Sequence, residues 1–195
     1  MHPRHFFPVL LLFACCWLSA CSGDKHARVV IHTSMGDIHV RLFDDVPRHR
    51  DYFLELAKSG AYDSLAVSRI ERDFVIQSGF AGSVSAFSTP APDSRHPMLR
   101  GALGGNGALF FVVQGRPQTD QSLDKWEKLS GRKFSPEWRT LYKQNGGAPQ
   151  LEGRHTVFGE VTEGLEVVDK IAALPRDAAD RPLQPVRMWV EVNGQ

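Results

Sequence analysis

Short runs that alternate apolar and polar residues recur along this chain, and they limit its fold more than any other feature. In "RVVIHTSMGDIHVRLF", Val29, Ile31 and Thr33 share one face, and Ile38, Val40 and Leu42 continue it after a turn over residues 34–37. That pattern predicts a hairpin. Its other face carries Val30, His32, His39 and Arg41, in a register that sets His32 opposite His39. Two imidazoles on a solvated sheet face with no third ligand nearby are not expected to hold a metal. Further strand-like runs are "SRIERDFVIQSG", "GALFFVV", "HTVFGEV" and "PVRMWVEV". Two helical patterns stand far apart among them, "VPRHRDYFLELAKSGAY" and "EGLEVVDKIAAL". In the first, Pro47 suits the opening turn, Tyr52, Phe53, Leu56 and Ala57 make the apolar stripe, and Gly60 suits the stop. Many strands with two distant helices predict a mainly β fold, an antiparallel barrel capped by helices rather than a doubly wound sheet.

Residues 116–149 break this pattern. "SLDKWEKLS" and "SPEWRTLYKQNGG" predict two short helices, the second with Ser135 as N-cap, Pro136 in the first turn and Gly146 as the stop. Trp126, Leu129, Trp138, Leu141 and Tyr142 give them apolar faces that need burial. The preceding cluster Gly104-Gly105-Asn106-Gly107 lacks the strand-before, helix-after context of a phosphate loop and predicts a tight connection.

The N-terminus carries a separate instruction. Arg4 precedes an apolar run from Phe6 to Leu18, too short for a permanent membrane span and matching the core of a secretory signal. Leu18-Ser19-Ala20-Cys21 resembles the bacterial lipobox, which implies a signal peptide over 1–20, lipidation of Cys21 and a tether over 21–28. The expected location is the cell envelope, on a lipid anchor facing the periplasm from the outer membrane. All three cysteines, 15, 16 and 21, lie at or before that junction, so residues 29–195 must hold together without disulfides. With 42% hydrophobic residues, a single domain of this length can do so. A net charge of +1 gives nucleic-acid binding no electrostatic support.

The chemistry-bearing residues sit where a strand should be apolar. Arg69 opens "RIERDFVIQSG" and Gln77 lies near its end, although polar side chains in a core cost free energy unless they are paired. The strand is therefore expected to line a groove that another molecule fills.

Four blocks resemble the cyclophilin-type peptidyl-prolyl cis-trans isomerases in order and spacing: "VVIHTSMGDIHVRLFDDVP", "YDSLAVSRIERDFVIQSG", "NGALFFVV" and "LEGRHTVFGEVTEGLEVVDKIA". The resemblance runs from Val29 to the C-terminus, interrupted by the helical segment, and looks like a lipoprotein branch found in bacteria such as the Bacteroidetes. It implies a closed eight-stranded barrel capped by two helices, with 116–149 as an insertion. It also implies Arg69 as the catalytic arginine, Gln77 as the holder of the substrate carbonyl, Phe74, Val75 and Phe111 as proline-pocket walls, and Leu151 and His155 as the far wall. The implied partner is a proline-containing polypeptide bound by a monomer, with no cofactor and no metal.

The X–Pro bond turns slowly because amide resonance sets a barrier of roughly 18–20 kcal/mol. At the twisted transition state the proline nitrogen regains a lone pair, and a permanently charged guanidinium can donate to it more strongly than to the planar ground state. Several positions depart from the family pattern: Ser68 where histidine is usual, Val75 for a larger wall, Ser78 for glycine, Leu109 for glutamine, and Gln150 where some members have tryptophan. The loop "RGALGG" is also short. Two functions are expected from this pattern. One is an isomerase that helps exported proteins fold, and the other a proline-peptide clamp or chaperone surface with little turnover. Trp126 or Trp138 is expected to pack beside the pocket and rebuild one wall of the groove.

Overall fold

The computed structural model describes residues 27–80 and 90–193; the expected signal peptide, Cys21 and most of the expected tether lie outside these. Strands β1 (Arg28–Thr33) and β2 (Gly36–Leu42) form the expected hairpin, burying Val29 and Ile31 against Ile38, Val40 and Leu42. The turn is shorter than expected, only Ser34 and Met35. The Thr33 hydroxyl closes it, donating to the Gly36 carbonyl (2.7 Å) and accepting from the Met35 N–H (3.0 Å). This slips the register by two, so His32 faces Asp37, and His39 faces Val30. An even slip leaves the buried face unchanged, which is why alternation alone could not detect it.

Helix α1 (Pro47–Lys58) follows with the expected stripe of Tyr52, Phe53, Leu56 and Ala57 buried. The remaining strands are β3 (Leu65–Ala66), β4 (Arg69–Glu71), β5 (Val75–Gly79), β6 (Ala102–Asn106), β7 (Leu109–Val113), β8 (Thr156–Glu163) and β9 (Arg187–Asn193). All pair antiparallel in one curled sheet, in the order β3-β9-β1-β2-β8-β6-β7-β5-β4.

The expected closed barrel of eight strands is thus corrected to a curled half-barrel with nine strands among the described residues. The run "SRIERDFVIQSG" is not the single strand expected but a hairpin, β4 and β5 paired around a turn over residues 72–74 with Asp73 at a φ of 63°. Ahead of that hairpin, the chain changes partner at Val67 and Ser68. The Val67 N–H donates to Val186 O (2.9 Å), while the Ser68 N–H donates to Gln77 O (2.8 Å). β3 therefore joins β9, and β4 joins β5.

Inside the curl, Phe53 of α1 meets Tyr62, Phe110 and Phe158 at centroid distances of 5.2, 5.4 and 5.2 Å. Helix α4 (Leu165–Ala172) adds Val167, Val168 and Ile171 to the same core. On the opposite side of β5–β8 lies a second apolar cluster of Val75, Met98, Ala102, Phe111, Val113, Ala148 and Val157.

The insertion contains the two expected helices, α2 (Asp120–Ser130) and α3 (Pro136–Asn145). Thr119 and Ser122 form a capping box on α2, and Ser135 caps α3 by accepting from the Trp138 N–H. Leu123, Phe134 and Tyr142 make their own small core, with Leu99, Trp126 and Trp138 packed around it. Both ends of the insertion leave the sheet through one neck. A Cβ on Gly115 would lie 2.7 Å from Gly147 Cα, and the Gly147 N–H donates to Arg116 O (3.1 Å). Only glycine lets the two chain segments pass this closely.

Candidate active site

Strand register brings the sequence-predicted residues together. Arg69 on β4 pairs with Gln77 on β5, and Gln77 pairs with Phe111 on β7. Phe111 pairs with Gly104 on β6, and Gly104 with Val157 on β8. Paired residues share a face. The guanidinium, the amide and the aromatic ring thus form one row on the side of the sheet turned away from the main core. Val75, two residues from Gln77, lies on that same face.

Phe111 is the floor of this site, only 2% exposed. Its ring lies over Gly104, where an added Cβ would come within 2.8 Å of the Phe111 Cε2 and Cζ. His155 meets Phe111 edge-on at 5.2 Å and 90°. Phe74, Leu151 and His155, all half-buried, form the walls. Burial, reinforced by the nearby Arg154 charge, holds the His155 pKa below its usual value, so the imidazole is neutral at neutral pH. Its buried Nδ1 has no hydrogen-bond partner among the described residues.

Each wall is braced by polar groups behind it. Phe74 O accepts from the N–H groups of Gln114 (2.9 Å) and Gly115 (3.0 Å) at the start of the insertion. The Gln114 amide also bridges two elements: its Oε1 accepts from the Asp73 N–H (2.7 Å), and its Nε2 donates to Asp169 Oδ1 on α4 (3.1 Å). The far wall follows a 3-10 turn at Pro149–Leu151, fixed to the barrel where the Ala148 N–H donates to Met98 O (2.8 Å).

Behind Leu151, the carboxylate of Glu152 is 5% exposed, and Tyr142 of α3 is wholly buried. Glu152 Oε1 accepts from the Tyr142 hydroxyl and from the Met98 N–H (2.8 Å). Burial raises the Glu152 pKa, and these two donors and the Arg132 charge oppose that rise. Glu152 was not singled out by sequence, although it lies inside the "LEGRH" block; nothing in a lone glutamate signals burial.

Arg69 is 45% exposed. Its Nη2 lies 2.8 Å from Glu71 Oε1 and 3.4 Å from Asp180 Oδ2. The pairing with Glu71 is legible as an i, i+2 neighbour on one strand face. Asp180, 111 positions away, is not, and the Ile70 N–H fixes it by donating to its carbonyl (2.8 Å). Both carboxylates approach Nη2, and Nη1 and Nε make no hydrogen bond among the described residues. Arg69 can therefore donate to a bound molecule without giving up its ion pairs. Ser68 donates from its hydroxyl to Gln77 O (3.2 Å), which secures the backbone between the two polar residues.

Comparisons with known proteins identify the family of the chain. Residues 28–192 match the family described as cyclophilin type peptidyl-prolyl cis-trans isomerase/CLD. A putative peptidyl-prolyl cis-trans isomerase of Staphylococcus haemolyticus is 31% identical over 179 residues, covering 84% of this chain and 89% of its own. The peptidyl-prolyl cis-trans isomerase-like 1 of Rhizopus delemar is 35% identical over 164 residues, covering 81% and 87%. The fold is similar to a Cryptosporidium parvum cyclophilin-type isomerase, with a TM-score of 0.65 at 18% identity over 87% of this chain and 99% of that one. The same Cryptosporidium protein crystallised in the presence of the dipeptide Ala-Pro gives 0.64 at 19% identity, over 86% and 99%. On the extent of the family match and the identity of its relatives, this chain belongs to the cyclophilin-type peptidyl-prolyl cis-trans isomerase family.

Proposed function

We propose that this peptidyl-prolyl cis-trans isomerase turns X–Pro bonds of exported polypeptides from a lipid anchor at Cys21, with Arg69 as its transition-state donor. The observation that carries the site assignment is the single row Arg69, Gln77, Phe111, with two guanidinium nitrogens unengaged. In this reading the proline ring rests on Phe111 between Phe74, Leu151 and His155. Val75 supports the floor from the same face. Gln77 holds the carbonyl before the proline, and the remainder of the bond rotates past Arg69. Rotation removes the amide resonance, and the fixed guanidinium stabilises the lone pair that appears.

The lipobox supports envelope attachment and a place among bacterial lipoprotein members of the family, and it makes exported chains the natural clients. The Ala-Pro dipeptide of the Cryptosporidium protein supports a proline-containing ligand. A monomer is the expected state. Isomerase turnover is tested by measuring cis/trans exchange on a short X–Pro peptide with a soluble fragment beginning at Ser22 and with its Arg69→Ala form. Loss of one preorganised donor is expected to slow exchange about 100- to 1,000-fold. Equal rates would remove Arg69 from the mechanism. The alternative of a peptide clamp is favoured by the carboxylates of Glu71 and Asp180, which hold Arg69 at rest. It predicts binding without exchange in the unaltered protein. The anchor is tested by Cys21→Ser, which is expected to abolish lipid mass and release the chain from membranes.

A further inference from the structure

The insertion does more than cover the barrel. Between helix α2 and the β4–β5 turn lies an open cleft of about 510 Å³, bordered by Phe74 and Asp73 on one side and by Trp126, Lys125, Arg116 and Gln150 on the other. Phe74 belongs at once to this cleft and to the wall of the proline site, so the two are continuous. Trp126 thus reaches the groove, and Trp138, packed into the insertion's own core, does not border it.

The charges around the cleft are unequally engaged. Three other cations of the insertion are held on its own surface, while Lys128 and Arg132 lie away from the cleft. Arg139 pairs with Asp120, Asp124 and Glu127, Lys133 with Glu127, and Lys143 with Asp120. Arg116 and Lys125 are exposed and have no carboxylate partner among the described residues; Lys125 instead lies 5.4 Å over the Trp126 ring. On the opposite rim, which Glu71 and Arg72 also line, Glu71 is taken by Arg69, and Arg72 donates to Ala173 O (3.1 Å). Two unpaired cations beside an aromatic face therefore stand against the single carboxylate of Asp73.

We infer that this cleft is a specificity subsite that binds residues flanking the proline and prefers acidic side chains there. Its volume lies within the range of about 300–1,000 Å³ common to pockets for small ligands, enough for the side chains next to a bound proline. The inference rests on the isomerase reading only for the position of the proline. The cations supply attraction that depends on salt, and Trp126 supplies a rigid apolar face for the peptide backbone.

The test uses the full chain in detergent solution and peptides that differ only in carrying Glu, Ala or Lys at the positions flanking one proline. Dissociation constants come from NMR titration, and exchange rates are read on the same samples. An exposed charge pair is expected to favour Glu over Lys peptides by about two- to fivefold at low salt, and most of that preference is expected to vanish near 1 M salt. The double variant Arg116→Glu with Lys125→Glu is expected to reverse the order, with unfolding midpoints confirming that it folds. Equal affinities for Glu and Lys peptides, or a preference that persists in the double variant, would overturn the subsite. Absence of exchange with every peptide would instead count against isomerase turnover, and the binding order would still report on the cleft.

Discussion

Replacing Tyr142 with Phe removes one hydroxyl from a buried site and should have an effect that grows with pH. The hydroxyl donates to Glu152 Oε1, and both residues are 5% exposed or less. Once it is gone, Glu152 keeps only the Met98 N–H as a close donor among the described residues. A hydrogen bond to a charged group contributes about 1.5–3 kcal/mol, against about 0.5–1.5 kcal/mol for a neutral pair. The Glu152 pKa in the folded protein already lies above its ordinary 4.5. Folding therefore binds the proton more tightly, and stability falls as pH rises from 4.5 through the folded value. The variant raises that folded value further, so its deficit must widen with pH. In thermal unfolding followed by circular dichroism, the midpoint should drop by about 3–12 °C at pH 8, at about 2–4 °C per kcal/mol. At pH 4, where the carboxyl is protonated, the drop should be about half as large. In a Glu152→Gln background the side chain is a neutral amide at every pH, and the effect of Tyr142→Phe should no longer depend on pH. A deficit equal at pH 4 and pH 8, or one still pH-dependent in that background, would refute the account.

Other outcomes can be stated more briefly. Gly104→Ala should cost about 1–3 kcal/mol by overpacking, because its Cβ would push on the Phe111 ring at 2.8 Å, and it should slow exchange with it. Urea unfolding and peptide exchange on one sample check both effects. His49 and His155 both titrate below 6.5 because burial disfavours their charged forms, so the stability they confer is complete above pH 6.5 and declines as pH falls toward their depressed values. His32 opposes this trend: burial pulls its pKa down, but Asp37 and Glu191 outweigh that and raise it. The stability His32 confers therefore grows as pH falls from above its raised value to 6.5, so a His32→Gln protein should lack that gain, and an identical pH slope of the unfolding midpoint over that interval would contradict the assignment. Cyclosporin-like cyclic peptides should inhibit weakly, since Gln150 replaces the tryptophan they use in the family and the "RGALGG" loop is short; tight inhibition in the exchange assay would show otherwise.

Much of this architecture could be read directly from residues. Period-two alternation located the hairpin, the stripe of α1 located its buried side, and Ser135, Pro136 and Gly146 bounded α3 as observed. The family blocks brought Arg69, Gln77 and Phe111 to one face, where strand register now sets them side by side. What could not be read depends on contacts between distant segments or on steps of two along a strand. The slip that moved His32 from His39 to Asp37 keeps every buried residue buried, so hydrophobic pattern is blind to it. The change of partner at Val67 and Ser68 depends on Val186 and Gln77, which no local propensity encodes. Asp180 reaches Arg69 only through a turn near the C-terminus, with its backbone at a φ of 60°. Glu152 looks like any surface glutamate until Tyr142 and Met98 enclose it.

The narrow neck at Gly115 and Gly147 has a consequence for how such a chain could diversify. Because both ends of the insertion meet there, the barrel experiences the whole segment as if it were a short hairpin loop. The helices beyond it carry their own caps, their own small core and most of their own ion pairs, so their sequence can drift with few demands on the sheet. That drift is limited by contacts between the insertion and the rest of the chain, among them Leu99 against the insertion core, Glu152 and the Met98 N–H against the Tyr142 hydroxyl, and Arg132 donating to the Ser94 hydroxyl. A graft that preserved the two glycines and those contacts could exchange one cassette for another while leaving the row of Arg69, Gln77 and Phe111 intact.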